Sequence, residues 1–221
     1  YTYGPLTYTI TSSNEITITD CETSATSVDI PFEIDGIPVT SIGNSAFYGC
    51  SSLTSVVVPG SVKSVGNYAF RSCTSLKEAV FEEGVETIGT AAFSHYYSYE
   101  GGECTALERV SLPSSLKSIG SHAFYECSAL KEVSIPSGKI GDNAFLSCTN
   151  LSNITIGNGV TTIGNSAFSG CSSLININIP SSITNIEGSA FSRCSSLTSI
   201  NIPSSVTSIG ENAFNGCSSL T

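Results

Sequence analysis

The chain has 221 residues, 40% of them apolar and only 12% charged, with a net charge of −10. Residues 1–108 hold thirteen acidic side chains against Lys63, Arg71 and Lys77, whereas residues 109–221 hold five of each sign. An acidic surface repels phosphate backbones and so argues against nucleic acid as a partner, and no run of 18 apolar residues is present to cross a membrane.

The chain repeats itself. Ala-Phe occurs at Ala46-Phe47, Ala69-Phe70, Ala92-Phe93, Ala123-Phe124, Ala144-Phe145, Ala167-Phe168, Ala190-Phe191 and Ala213-Phe214, at spacings of 23, 23, 31, 21, 23, 23 and 23. A cysteine follows each pair, from Cys50 to Cys217, and a leucine follows each cysteine by three, from Leu53 to Leu220. Four columns filled in eight copies out of eight define a structural unit.

Within each unit the elements follow in a fixed order. The alternation Leu197, Ile200, Ile202 predicts a short strand with one buried face. Proline ends that strand in most copies, because it cannot donate to a ladder. A second extended piece, such as 206-VTSIG-210, brings Val and Ile inward again. Glycine then turns the chain, Asn, Asp, Ser or Thr supplies a capping residue, and A-F-x-x-C is predicted to make a single helical turn. One unit cannot bury its apolar face alone, so the units must stack, each coil serving as the wall against which the next folds.

The departures fall in order along the chain. Glu82 and Gly157 replace the proline. An eight-residue insertion, 94-SHYYSYEGGE-103, stands where other units have two residues. Two residues are missing between Pro136 and Phe145, and 136-PSGKIG-141 leaves the Val column empty, which predicts a local irregularity near Gly138. Glu187 takes the glycine column beside Gly188, which predicts a turn shifted by one residue. The chain lacks an initiator Met and stops in mid-unit, and is expected to be part of a longer protein.

Little of the chemistry points to catalysis. The eight column cysteines are expected to be reduced and buried, filling a position that asks for a small apolar side chain; Cys21 stands outside the column without a role. Ligands 23 residues apart in a row cannot surround a zinc ion. His122 precedes Ala123 at a position expected to be exposed, and His95 lies in the insertion; neither belongs to an acid–base arrangement. No nucleophile-elbow, zinc-protease or phosphate-loop pattern occurs. No enzyme activity and no cofactor or metal is therefore expected.

Binding surfaces are the alternative. The outward strand positions form two columns: Ser55, Glu78, Arg109, Glu132, Asn153, Asn176, Ser199, and Val57, Val80, Ser111, Ser134, Thr155, Asn178, Asn201. The amides of Asn153, Asn176, Asn178 and Asn201 offer donors and acceptors suited to carbohydrate or peptide backbone; the opposing expectation is a solvated ladder of cross-strand hydrogen bonds. In the insertion, His95, Tyr96, Tyr97 and Tyr99 form a second candidate site, since tyrosine supplies contact area at low entropic cost; the opposing expectation there is a tolerated surface loop. Asn150-Leu-Ser152 and Asn153-Ile-Thr155 also match glycosylation acceptors.

The unit L-x-x-I-x-I-P-x-x-V-x-x-I-G-x-x-A-F-x-x-C resembles the leucine-rich repeat of the BspA-like class, over residues 34–221. The segments 4-GPLTYTITSSNEITIT-19 and 30-IPFEIDGIPVTSIG-43 resemble the amino-terminal cap of such arrays. The resemblance implies a right-handed, gently curved solenoid of about eight 23-residue repeats, with short parallel strands and single helical turns. It implies a cap over residues 1–40 continuous with repeats over 41–221. It further implies a monomeric, extracellular or cell-surface module that binds protein or carbohydrate of host cells or matrix, without inserting into a membrane. A structural spacer with no ligand of its own is the competing expectation.

Overall fold

A computed structural model describes residues 1–94 and 104–221 of the chain. The chain winds into a β-solenoid of about eight coils, most of which contribute two short extended segments. The first segments, among them Ser55–Val58, Glu78–Phe81 and Arg109–Ser111, pair in parallel and in register, so that Val57, Val80 and Ser111 stand side by side. The second segments, including Ser64–Val65, Thr87–Ile88 and Ser118–Ile119, form a parallel ladder of their own. At the amino end the strands Leu6–Ile10 and Ile16–Cys21 pair antiparallel, and Ile16–Cys21 hands on to Ile37–Ile42 in parallel. A short chain can enter a parallel stack this way because a hairpin turn needs no crossover.

The core is a set of columns. Seven phenylalanines, from Phe47 to Phe191, are fully buried. Consecutive rings stack at 4.8 Å (Phe47–Phe70), 5.0 Å (Phe124–Phe145), 5.3 Å (Phe145–Phe168) and 5.7 Å (Phe191–Phe214). The stacking follows from strand spacing, which sets one coil roughly 4.8 Å above the next. Burial of each ring contributes on the order of 2 kcal/mol.

The predicted helical turn is absent: no helix occurs among the described residues. In its place the A-F-x-x-C segment makes successive β-turns punctuated by two left-handed residues. The residue before Ala has φ between 51° and 59° in all eight coils, as at Ser45, His122 and Asn212. The residue before Cys is left-handed as well, at Gly49, Ser72, Glu126, Ser147, Gly170, Arg193 and Gly216. Backbone donors explain why. Alternate N–H groups close turns within the coil (Tyr48 to Ser45 O, Cys50 to Phe47 O), while those between them reach the next coil (Ser45 to Asn67 O, Phe47 to Ala69 O, Gly49 to Arg71 O). A helix would spend every donor inside its own coil. The observed path bonds neighbouring coils along the turn as well as along the strands.

Other expectations are corrected nearby. The polar residue after glycine does not cap its own turn: the Asn44 Oδ1 accepts from Asn67 N and the Asn67 Oδ1 from Thr90 N, both at 2.8 Å, one coil away. The turn at Glu187 is not shifted. Ala190 N donates to Glu187 O as Ala167 N does to Gly164 O, so Glu187 occupies the glycine position itself. Glycine prevails there because coils are in backbone contact: a Cβ on Gly66 would lie 2.5 Å from Gly43 C.

The irregularity near Gly138 is present. Glu132–Ile140 runs as one unbroken strand through Pro136, where other coils have two strands and a proline turn. Its neighbour Asn153–Ile163 is also continuous, and their register slips between Ile135 and Ser137 and again between Gly138 and Lys139. Two one-residue bulges thereby take up the two missing residues.

Candidate functional site

The strand face presents the two columns expected from the sequence. Asn153, Asn176, Asn178 and Asn201 are all exposed. Parallel register places Glu132 beside Asn153 and Ser134 beside Thr155, and separately Asn178 beside Asn201. The charged half of the face is partly self-neutralised, since Arg109 Nε contacts Glu78 Oε1 at 3.1 Å with both side chains solvated. In the amide half, Asn201 Nδ2 donates to Asn178 Oδ1 at 2.9 Å.

Between these halves lies an open hollow of about 470 Å³. Ser111, Glu132, Ser134, Asn153 and Thr155 form its polar wall, and Val110, Leu112 and Val133 its apolar part. The hollow lies over the first halves of Glu132–Ile140 and Asn153–Ile163, beside Arg109–Ser111. Of the amides singled out from the sequence, only Asn153 lines it. Sequence reasoning missed Val110, Leu112 and Val133, because it read the inward positions as closed; Val110 retains 9% of its surface.

His95, Tyr96, Tyr97 and Tyr99 lie outside the described residues. His122, expected to be exposed, is buried with 8% of its surface accessible, its ring edge-on to Tyr125 at 5.9 Å. Desolvation lowers its pKa, partly opposed by Asp142, so the ring is neutral at neutral pH.

A further cluster was not anticipated. The Arg71 guanidinium lies 5.3 Å from the Tyr48 ring centre and 5.9 Å from that of Tyr68, and its Nε is buried without a hydrogen bond. Its signal was legible: the columns flanking Ala-Phe hold Tyr48, Tyr68, Arg71 and Tyr125 in the first half and mostly Ser and Asn afterwards.

The nine cysteines are free, and eight are buried. They are not merely apolar fillers. Cys73 Sγ donates to Phe47 O at 3.2 Å, Cys148 to Phe124 O at 3.2 Å and Cys171 to Phe145 O at 3.4 Å, always to the preceding coil. Burial raises the pKa of Cys148 and Cys171 well above 9.0. Among the described residues no group of three or more His, Cys, Asp or Glu could hold a metal ion.

The coil, its column chemistry and its length are those of one repeat type. The model of the BspA-type leucine-rich repeat region matches residues 17–137 and 96–221, in six copies. The chain belongs to the BspA-type leucine-rich repeat family. A leucine-rich repeat protein from Bacteroides ovatus is similar at 31% identity and a TM-score of 0.78, over 95% of this chain and 55% of that one. The chain thus spans about half the length of that relative. The T. pallidum leucine-rich repeat protein is 31% identical with a TM-score of 0.72, over 100% of this chain and 90% of its own. No curated protein sequence matches this BspA-type array. The family model describes a repeat region and indicates no catalytic family.

Proposed function

We propose that this BspA-type array is a recognition module, secreted or displayed on a cell surface, that binds a protein or carbohydrate of a host cell or matrix through its strand face. The observation that carries the reading is the hollow beside Asn153, where hydroxyl, amide and carboxylate groups held in parallel register surround an apolar floor. Binding sites combine apolar surface with a few fixed polar groups in this way. Asn176, Asn178 and Asn201 extend the polar surface along the stack, and His95, Tyr96, Tyr97 and Tyr99 offer a second contact from the insertion.

The competing reading is a spacer without a ligand. The Asn178–Asn201 hydrogen bond favours it, since amides that satisfy one another have less to offer a partner. A screen of the fragment against matrix proteins and immobilised glycans separates the two. A ligand found there should lose at least about tenfold in affinity on Ser134→Arg or Asn153→Ala, as expected for a contact in a desolvated site, with an unchanged melting temperature. Affinity that survives both changes but falls with Tyr96, Tyr97 and Tyr99 replaced by Ser moves the site to the insertion. No ligand in the screen favours the spacer.

A further inference from the structure

The thiol column ends, at the amino-terminal strands, in a pair. Along the column each thiol is pinned singly: those of Cys73, Cys148, Cys171, Cys194 and Cys217 lie 3.2, 3.2, 3.4, 3.2 and 3.1 Å from a Phe carbonyl of the preceding coil. Cys50 has no such carbonyl, because the strand before it, Ile16–Cys21, carries no phenylalanine. Its Sγ instead lies 3.8 Å from Cys21 O and 3.9 Å from Glu22 O. Cys21 Sγ lies 3.7 Å from that same Glu22 O. Two thiols thus converge on one carbonyl, farther from it than any pinned thiol is from its own. Both residues are buried, Cys21 at 3% and Cys50 at 0% exposure.

We propose that Cys21 and Cys50 form an oxidisable dithiol, which closes into a disulfide that fastens the amino-terminal strands to the first Ala-Phe coil. Successive coils stand roughly 4.8 Å apart, within the roughly 4.4–6.8 Å of Cα separation that a disulfide spans. Every pair along the column meets that spacing. Each pinned thiol is held to a Phe carbonyl of its own, whereas these two share the Glu22 carbonyl. The inference is independent of what the strand face binds.

The oxidant is a small-molecule disulfide such as oxidised glutathione. Once the strands open, the Cys50 thiol gives its proton to solvent and attacks as the thiolate. Its sulfur breaks the S–S bond of the oxidant, forming a mixed disulfide and releasing one glutathione thiolate. Cys21 then attacks Cys50 Sγ, closes the protein disulfide and expels the second glutathione. The two protons leave with the two glutathione thiols, and the protein dithiol is oxidised by two electrons. Entry of the oxidant requires local opening of the amino-terminal strands.

The test is incubation of the folded chain with oxidised glutathione, followed by denaturation, alkylation and peptide mapping. Seven alkylated cysteines instead of nine, with the peptides of Cys21 and Cys50 joined, are expected. Amide exchange in residues 6–21 should slow by at least about tenfold in the oxidised protein, because the bridge closes a long loop. In a Cys21→Ala variant the mixed disulfide should persist on Cys50. Nine alkylated cysteines, a bridge between any other pair, or a mixed disulfide persisting on Cys50 of the unaltered chain would overturn the proposal. Should Cys21→Ala fail to fold, the map of the unaltered chain decides alone.

Discussion

At the residue scale, cysteine in this fold is a hydrogen-bond donor that also fills space. The size requirement was legible in the sequence; the donor role was not, because it depends on a carbonyl one coil away. The distinction changes an expected energy. A serine at position 171 keeps a donor facing Phe145 O, so Cys171→Ser should cost no more than about 1 kcal/mol in urea unfolding, whereas a buried hydroxyl without a partner costs about 1–3 kcal/mol. Cys171→Ala, which leaves a small void and no donor, should be at least as costly. The buried thiols also set an alkaline limit. Burial, reinforced by neighbouring cysteines, raises Cys148 and Cys171 above 9.0, and burial pushes Cys194 up to about 12. The folded chain therefore holds protons that the unfolded chain releases, and stability falls as pH rises. The contribution is complete below pH 9.0 and is lost from there towards about 12. Denaturation midpoints measured across that window should drop steadily, and a flat profile would show that the thiols do not sense burial.

At the scale of the element, the turn is where sequence reading failed. Ala, Phe and Cys at positions i, i+1 and i+4 suit one helical turn, and they suit two consecutive β-turns equally well. Hydrophobic spacing cannot separate them. The distinguishing signal lies in the silent columns: glycine before the cysteine at Gly49, Gly170 and Gly216, and Ser or Asn before Ala in five copies of eight. These residues tolerate left-handed backbone or carry little penalty there. Ser189, with φ 55°, tests the assignment. Ser189→Val puts a β-branched residue in that conformation and should cost about 1–2 kcal/mol. Ser189→Gly should be neutral or stabilising, since relief of strain offsets the added freedom of the unfolded chain. A helical turn would reverse the order, because glycine is the poorer residue in a helix. Thermal melts of the two variants decide it.

At the scale of the molecule, every coil is templated by its neighbour, so an irregularity in one must be answered in the next. The missing residues of 136–141 were visible in the sequence as a 21-residue spacing, and Gly157 was visible as a departure from proline; that the second answers the first was not, because it requires the register. From Glu132 to Lys139 the shortened coil takes seven steps, while its neighbour takes nine from Asn153 to Thr162. One of the two extra residues bulges opposite Pro136, and a Cβ on Gly157 would lie 2.5 Å from Pro136 O, with the Pro136 Cα and C also within reach at 2.9 and 3.0 Å. Backbone atoms cannot swing aside as a side chain can. Restoring the repeat consensus with Gly157→Pro should therefore destabilise the array, by about 2 kcal/mol or more as overpacking and strain add, although the same residue is favoured in most other coils. Inserting two residues after Ser137 to bring the spacing back to 23 should relieve the crowding, so that the proline costs less in the lengthened chain than in the original. Equal costs in both backgrounds, measured by urea unfolding, would mean that the two departures are unrelated.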